Sequence, residues 1–135
     1  IELLHTGAAH TSGDTVVIFS DAGVVHMGDV FNARYPFIDA DNGGDLDGMI
    51  GLCNTVLERI DEDARVIPGH GPVLDRAALQ AYTSMLEVVR NRIAAHLDRG
   101  LSLEQVLAEK PTADYDEQFG NPILFITKAY MSLSR

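Results

Sequence analysis

Between residues 24 and 67 the sequence passes from a strand pattern into a helical pattern and back into a strand, which sharply limits the folds open to it. Strands joined through a helix pair in parallel, because the crossover brings the chain back to the end of the sheet it left. The segment before this unit, 15–19 (TVVIF), is a β-branched and aromatic run, and Ser20-Asp-Ala-Gly23 turns it back into 24–27 (VVHM). Those two segments predict an antiparallel hairpin. A mixed sheet follows, with strand 24–27 antiparallel to one neighbour and parallel to the strand at 65–67.

The helices announce themselves through caps and spacing. Asp45 is placed to cap a helix carrying Leu46, Met49, Ile50, Cys53, Val56, Leu57 and Ile60 at helical intervals. Asp75 opens a longer one with Leu79, Tyr82, Leu86, Val89, Ile93 and Leu97, closed by Gly100. Ser102 and Gln105 form a capping-box pattern. Asn121 and Pro122 predict the start of a terminal helix with Ile123, Ile126, Tyr130 and Leu133 turned inward. A short strand at 2–5 and an irregular loop at 31–44 complete the reading. With no repeat, low-complexity stretch or linker, residues 1–135 read as one unit of α/β type, a small sheet covered by helices.

Composition excludes several roles. A net charge of −10 argues against nucleic acid, whose phosphates demand clustered Lys and Arg. No apolar run is long enough to span a bilayer. The balance of 46% hydrophobic and 22% charged residues is that of a soluble globular protein, with compartment open. Cys53, the lone cysteine, sits on an apolar helical face and reads as core. The opening Ile1-Glu-Leu-Leu, with no initiator Met and no signal-peptide pattern, is expected of a fragment or a processed product.

Three phrases set a metal-binding side chain beside glycines near a strand end: "GAAHTSGD" around His10, "HMGDVF" around Asp29 and "IPGHGPV" around His70. His10 precedes the first hairpin strand and Asp29 follows the second, so the hairpin returns Asp29 to the rim where His10 lies. The parallel crossover carries His70 to that same rim, outside the carboxyl ends of the strands. Imidazole with carboxylate suits Zn²⁺, with Fe or Mn as alternatives. A histidine after a strand is, taken alone, more commonly a hydrogen-bonding turn residue; the coincidence of three side chains at one rim favours a metal.

Together "AHTSGDTVVIF", "VVHMGDVF" and "VIPGHGPV" resemble, in order, the third, fourth and fifth metal motifs of the metallo-β-lactamase superfamily. The resemblance covers roughly residues 1–80. The loop "YPFIDADNGG" is similar to that of a hydrolase-like subgroup, some of whose members are linked to sulfur oxidation or quinoprotein accessory functions. The resemblance implies an αββα sandwich of two similar halves with a dinuclear zinc site between them. It makes His10 the third histidine of the first metal site, Asp29 the bridging and catalytic carboxylate, and His70 the outer histidine of the second. It further implies hydrolysis of a small ester, thioester, lactone or amide by a metal-bound hydroxide, with β-lactams less favoured. A nuclease is disfavoured by the acidic charge.

The superfamily's His-x-His-x-Asp-His motif occurs nowhere in these residues. The expectation is therefore the C-terminal half of such a domain, unable to hold metal firmly or to catalyse without an N-terminal half. That half, or another copy of the chain, is expected to pack on the exposed sheet. The rival reading is a non-catalytic half-domain that serves in binding or assembly.

The remaining candidates weigh less. His5 is expected to support the site or a strand end, His26 to face away from the rim into core or ligand-supporting surroundings, and His96 to complement a helix C-terminus. Asp39, Asp41, Asp45 and Asp47 do not match an EF-hand, since Gly43 and Ile50 occupy ligand positions, and read as a solvated loop with a helix cap. Tyr35 and Phe37 are candidates for lining a substrate pocket or anchoring their loop. Thr11, Ser12 and Asp14 form no nucleophile–base arrangement with His10.

Overall fold

A computed structural model describes residues 1–135. Five strands lie across one sheet in sequence order: β1 (Glu2–Leu4), β2 (Val16–Phe19), β3 (Val24–Gly28), β4 (Arg65–Pro68) and β5 (Leu74–Asp75). Pairing is antiparallel between β1 and β2, β2 and β3, and β4 and β5, and parallel only between β3 and β4. The parallel pair is closed through α1 (Leu46–Arg59), as the strand–helix–strand pattern requires. Ser20–Ala22 forms a 3-10 turn in the hairpin, ended by Gly23 at φ 63°, a conformation that costs a glycine nothing.

All the helices lie to one side of the sheet. Alternation along the strands buries Leu4, Val16, Ile18, Val25, Met27 and Val66 in a continuous core with α1, α2 (Arg76–Asp98) and α5 (Ile123–Leu133). The opposite face carries Leu3, Val17, His26 and Ile67 in one registered row across four strands. No helix covers that row, and Leu3 is 68% exposed. The arrangement is the small sheet covered by helices that the sequence predicts.

Caps fall where the sequence places them. The side chains of Asp45 and Asp75 accept the amides of Gly48 and Ala78, and Ser102 with Gln105 completes a capping box at α3 (Leu103–Glu109). Cys53 is fully buried and its thiol is pushed up to about 12 by burial. No helix is long and apolar enough to cross a membrane.

Three readings need correction. His26 is exposed on the helix-free face rather than in core or ligand-supporting surroundings, because helices cover only the side to which Val25 and Met27 point. Ile123 is 59% exposed; α5 instead buries Phe125, Ile126 and Ala129. Pro122, not Asn121, takes the backbone N-cap position, while the Asn121 side chain still accepts the Ile123 amide at 3.0 Å. Two short elements, β5 and the single turn α4 (Asp116–Phe119), carry too few residues to show a period.

Candidate metal centre

His10, Asp29 and His70 meet at the rim where β3 ends and β2 begins. Gly28, at φ 56°, turns the chain out of β3 and presents Asp29. Directly across, Gly69 closes on that turn so tightly that a Cβ there would lie 2.3 Å from Asp29 Oδ1 and 2.7 Å from the Gly28 carbonyl. Glycine is therefore a requirement of the "PGHG" phrase: it lets the end of β4 lie against the carboxylate that His70 must reach.

The two imidazoles address different oxygens of one carboxylate. His70 Nε2 lies 3.1 Å from Asp29 Oδ1, and His10 Nε2 lies 3.8 Å from Asp29 Oδ2. His10 Nδ1 is 2.6 Å from the Phe37 carbonyl. A carbonyl can only accept, so Nδ1 carries a proton, and Nε2 is the ring atom that faces Asp29. His70 is held through its backbone: its amide donates to Asn32 Oδ1 at 3.0 Å. The same asparagine reaches back from its Nδ2 to the Asp29 carbonyl at 3.5 Å, so one side chain spans the turns that carry Asp29 and His70.

The turn that carries His10 is fastened to the 39–45 segment. The amides of Asp39 and Asp45 donate to the carbonyls of His10 and Ala9, and the Ser12 amide donates to Asn42. Gly44 and Gly48 allow this approach, since a Cβ would fall 2.3 Å from the His10 carbonyl oxygen in one case and 1.8 Å from that of Ala8 in the other. Three of the four acidic residues in this stretch are engaged. Asp39 accepts from Asn42, Asp45 caps α1, and Asp47 pairs with Arg90 at 2.7 Å. They do not gather around a common point.

As donors, two imidazoles and a carboxylate fit a transition ion such as Zn²⁺. Their number does not close a coordination sphere. No three His, Cys, Asp or Glu side chains converge on one metal position, and each Asp29 oxygen faces a single imidazole.

A cleft of about 920 Å³ opens beside His70. Tyr35 and Phe37 both line it, together with the 117–121 segment, to which the sequence assigns no role. The Tyr35 hydroxyl donates to Asp116 Oδ1 at 2.8 Å and its ring stacks on Phe125. Burial, reinforced by the Asp116 carboxylate, pushes this phenol well above its usual range, so it anchors the loop as a donor and does not act as a base. Phe37 is the more open of the two, with its ring 6.1 Å from that of His10. Arg34 also lines the cleft; a lone cation just after Asp29 in an acidic chain is its only sequence signal.

The other histidines stand apart. His5 Nδ1 donates to the Asp14 carbonyl at 2.7 Å, supporting a strand end as expected. His26 Nδ1 accepts the Gly28 amide at 3.1 Å, and His96 sits in the last turn of α2.

No family model and no curated protein matches the sequence. Solved structures do match its fold. VMB-1, in a crystal structure at pH 5.5, shares 20% identity and a TM-score of 0.50, over 62% of this chain and 39% of that one. A metallo-β-lactamase from Pontibacter korlensis shares 20% identity and a TM-score of 0.51, over 63% and 40%. The stereoselective inverting sec-alkylsulfatase Pisa1 from Pseudomonas sp. shares 16% identity and a TM-score of 0.72, over 96% of this chain and 23% of that one. The chain thus spans two fifths or less of the length of these proteins. At such identities the likeness is one of fold: the chain has the metallo-β-lactamase fold, over part of the length of its structural neighbours.

Proposed function

We propose that this chain supplies one side of the active site of a metal-dependent hydrolase, with His10, Asp29 and His70 as metal ligands. The observation that carries the reading is the bracketing of one carboxylate by two imidazoles, each facing a different oxygen. That is the disposition of a carboxylate bridging two ions. Solved structures named as a metallo-β-lactamase and an alkylsulfatase share the fold, which supports hydrolysis as the reaction class.

Bound zinc would supply an acidified water and positive charge opposite a developing oxyanion. The chain's own residues do the positioning. The Phe37 carbonyl sets the His10 tautomer, Asn32 fixes the His70 turn against that of Asp29, and the cleft receives a small ester, thioester, lactone or amide, with Phe37 along its wall. The missing ligands come from an N-terminal half carrying His-x-His-x-Asp-His, packed on the helix-free row of Leu3, Val17, His26 and Ile67. A second copy of the chain is the other occupant that this face could accept.

Zinc content after exhaustive dialysis tests the reading. The chain alone is expected to retain well under one zinc, rising to about two when the complementary half is present. No metal in either state would leave the chain a non-catalytic assembly module. Firm stoichiometric zinc on the chain alone, with turnover, would show that no second half is needed.

Asn32 provides a separate check. Asn32→Ala removes the link between the two ligand-bearing turns and is expected to weaken zinc binding about 10- to 100-fold, the usual range for a ligand-supporting group. Competition against a chromophoric chelator measures it, while thermal melting should shift by only a few degrees.

A further inference from the structure

One short loop supports both histidines of the rim. It runs from Asn32 to Phe37, and each end holds one of them. Asn32 Oδ1 accepts the His70 amide at 3.0 Å, and the Phe37 carbonyl lies 2.6 Å from His10 Nδ1. Between those ends the loop has one point of hydrogen-bonded attachment. Of residues 33–36, Tyr35 alone hydrogen-bonds: its amide donates to the Phe119 carbonyl at 3.2 Å, and its hydroxyl donates to Asp116 Oδ1 at 2.8 Å, with the Thr112 carbonyl at 3.3 Å as a second acceptor. The ring is clasped as well, stacked on Phe125 with centroids 5.1 Å apart and tilted against Phe119 at 5.6 Å.

Stacking fixes the plane of an aromatic ring but lets it slide within that plane. The hydroxyl removes this freedom, and its bond to a carboxylate is of the stronger, charge-assisted kind. Asn32 lies three residues before Tyr35 and Phe37 two after it, so a slide of the ring displaces both supports. We infer that Tyr35 is a positioning residue of the rim: through the Tyr35–Asp116 bond, the 112–119 segment fixes the loop whose two ends hold His10 and the His70 turn. That segment itself makes no hydrogen bond with His10, Asp29 or His70. The consequence for metal affinity rests on the hydrolase reading above; the hold on the two histidines rests on these contacts alone.

Tyr35→Phe removes the hydroxyl and keeps the ring. Its control is Tyr130→Phe, because the Tyr130 hydroxyl donates to the Leu101 carbonyl at 3.1 Å, between α5 and the turn before α3. Two signals are read in the metal-free, nitrogen-15-labelled chain at about pH 8, where an ordinary imidazole is neutral. The His10 ring nitrogen shifts report the share of the Nδ1–H tautomer, and hydrogen exchange reports the hold on the His70 amide. Tyr35→Phe is expected to average the His10 tautomers and to speed His70 exchange about tenfold, the worth of one hydrogen bond. Tyr130→Phe should move neither, while both variants melt within a few degrees of wild type. Asp116→Ala should reproduce Tyr35→Phe, the double variant should add nothing to either, and Asp116→Asn, which keeps an acceptor, should restore both signals. Zinc affinity, measured by competition against a chromophoric chelator, should fall about tenfold in Tyr35→Phe, the low end for a ligand-supporting group. Either signal unmoved in Tyr35→Phe, equal movement in Tyr130→Phe, or equal zinc affinity in Tyr35→Phe and a zinc-binding wild type overturns the inference. If the wild type binds no zinc and both signals respond, the metal reading falls alone and the positioning role of Tyr35 stands.

Discussion

Gly48→Ala should destabilise the fold by about 3 kcal/mol, lowering the melting temperature by roughly 10 °C, although it places a better helix former in a helix. Alanine in place of a helical glycine ordinarily gains up to about 1 kcal/mol. Here the added Cβ would stand 1.8 Å from the Ala8 carbonyl oxygen and 3.0 Å from its carbon. Those are backbone atoms of the turn that carries His10, and they cannot swing aside as a side chain could. Either α1 shifts at its first turn, breaking the Asp45 cap, or the His10 turn is pushed off the rim. Gly51, three residues on in the same helix, serves as the control, because a Cβ added there would meet nothing within 4 Å. Gly51→Ala should stabilise by about 0.5–1 kcal/mol. Denaturant melts of the two variants should therefore move in opposite directions, and a shared sign would refute the close approach of α1 to residue 8.

The second large effect falls on chemistry and spares the fold. Under the hydrolase proposal, Asp29→Ala should lower kcat/KM by about 10³-fold or more once the complementary half is supplied, about 4 kcal/mol of transition-state stabilisation, with zinc content falling alongside. Both imidazoles lose the group they share, at 3.1 and 3.8 Å. The Asp29 side chain is 41% exposed, so its ion pairs are screened and their loss should cost no more than about 1 kcal/mol of stability. Circular dichroism and melting should stay near wild type while metal analysis and turnover collapse. A variant that keeps its zinc and its rate would remove Asp29 from the site.

The contrast between these variants follows what is legible in the sequence. Capped helices with clear periodicity, α1 and α2, are readable because Asp45 and Asp75 satisfy amides within three residues of themselves, a purely local interaction. The rim shared by His10, Asp29 and His70 is readable because handed crossovers and hairpins leave little choice of topology. What escapes is set by packing. The run Ile123-Leu-Phe-Ile126 points apolar groups in every direction around α5, so no period can tell that Phe125 and Ile126 go inward while Ile123 and Leu124 stay out. His26 is misread because the strand pattern shows two faces and not which one the helices will cover. The cleft wall at 117–121 arises from a single helical turn and loop docked against the Tyr35 loop, a contact between distant segments that no local signal announces.

The mixed pairing of the sheet also orders the assembly of the site in time. His10 and Asp29 are brought together by the β2–β3 hairpin, a local structure whose loop closes at little entropic cost. His70 arrives only when β4 docks in parallel on β3, after the whole of α1 has been threaded between them. Non-local parallel pairing is the slow kind of contact. The bracketing of Asp29 by its second imidazole is thus expected among the last events of folding, and a time-resolved probe of the His70–Asp29 contact should lag one on the β2–β3 hairpin.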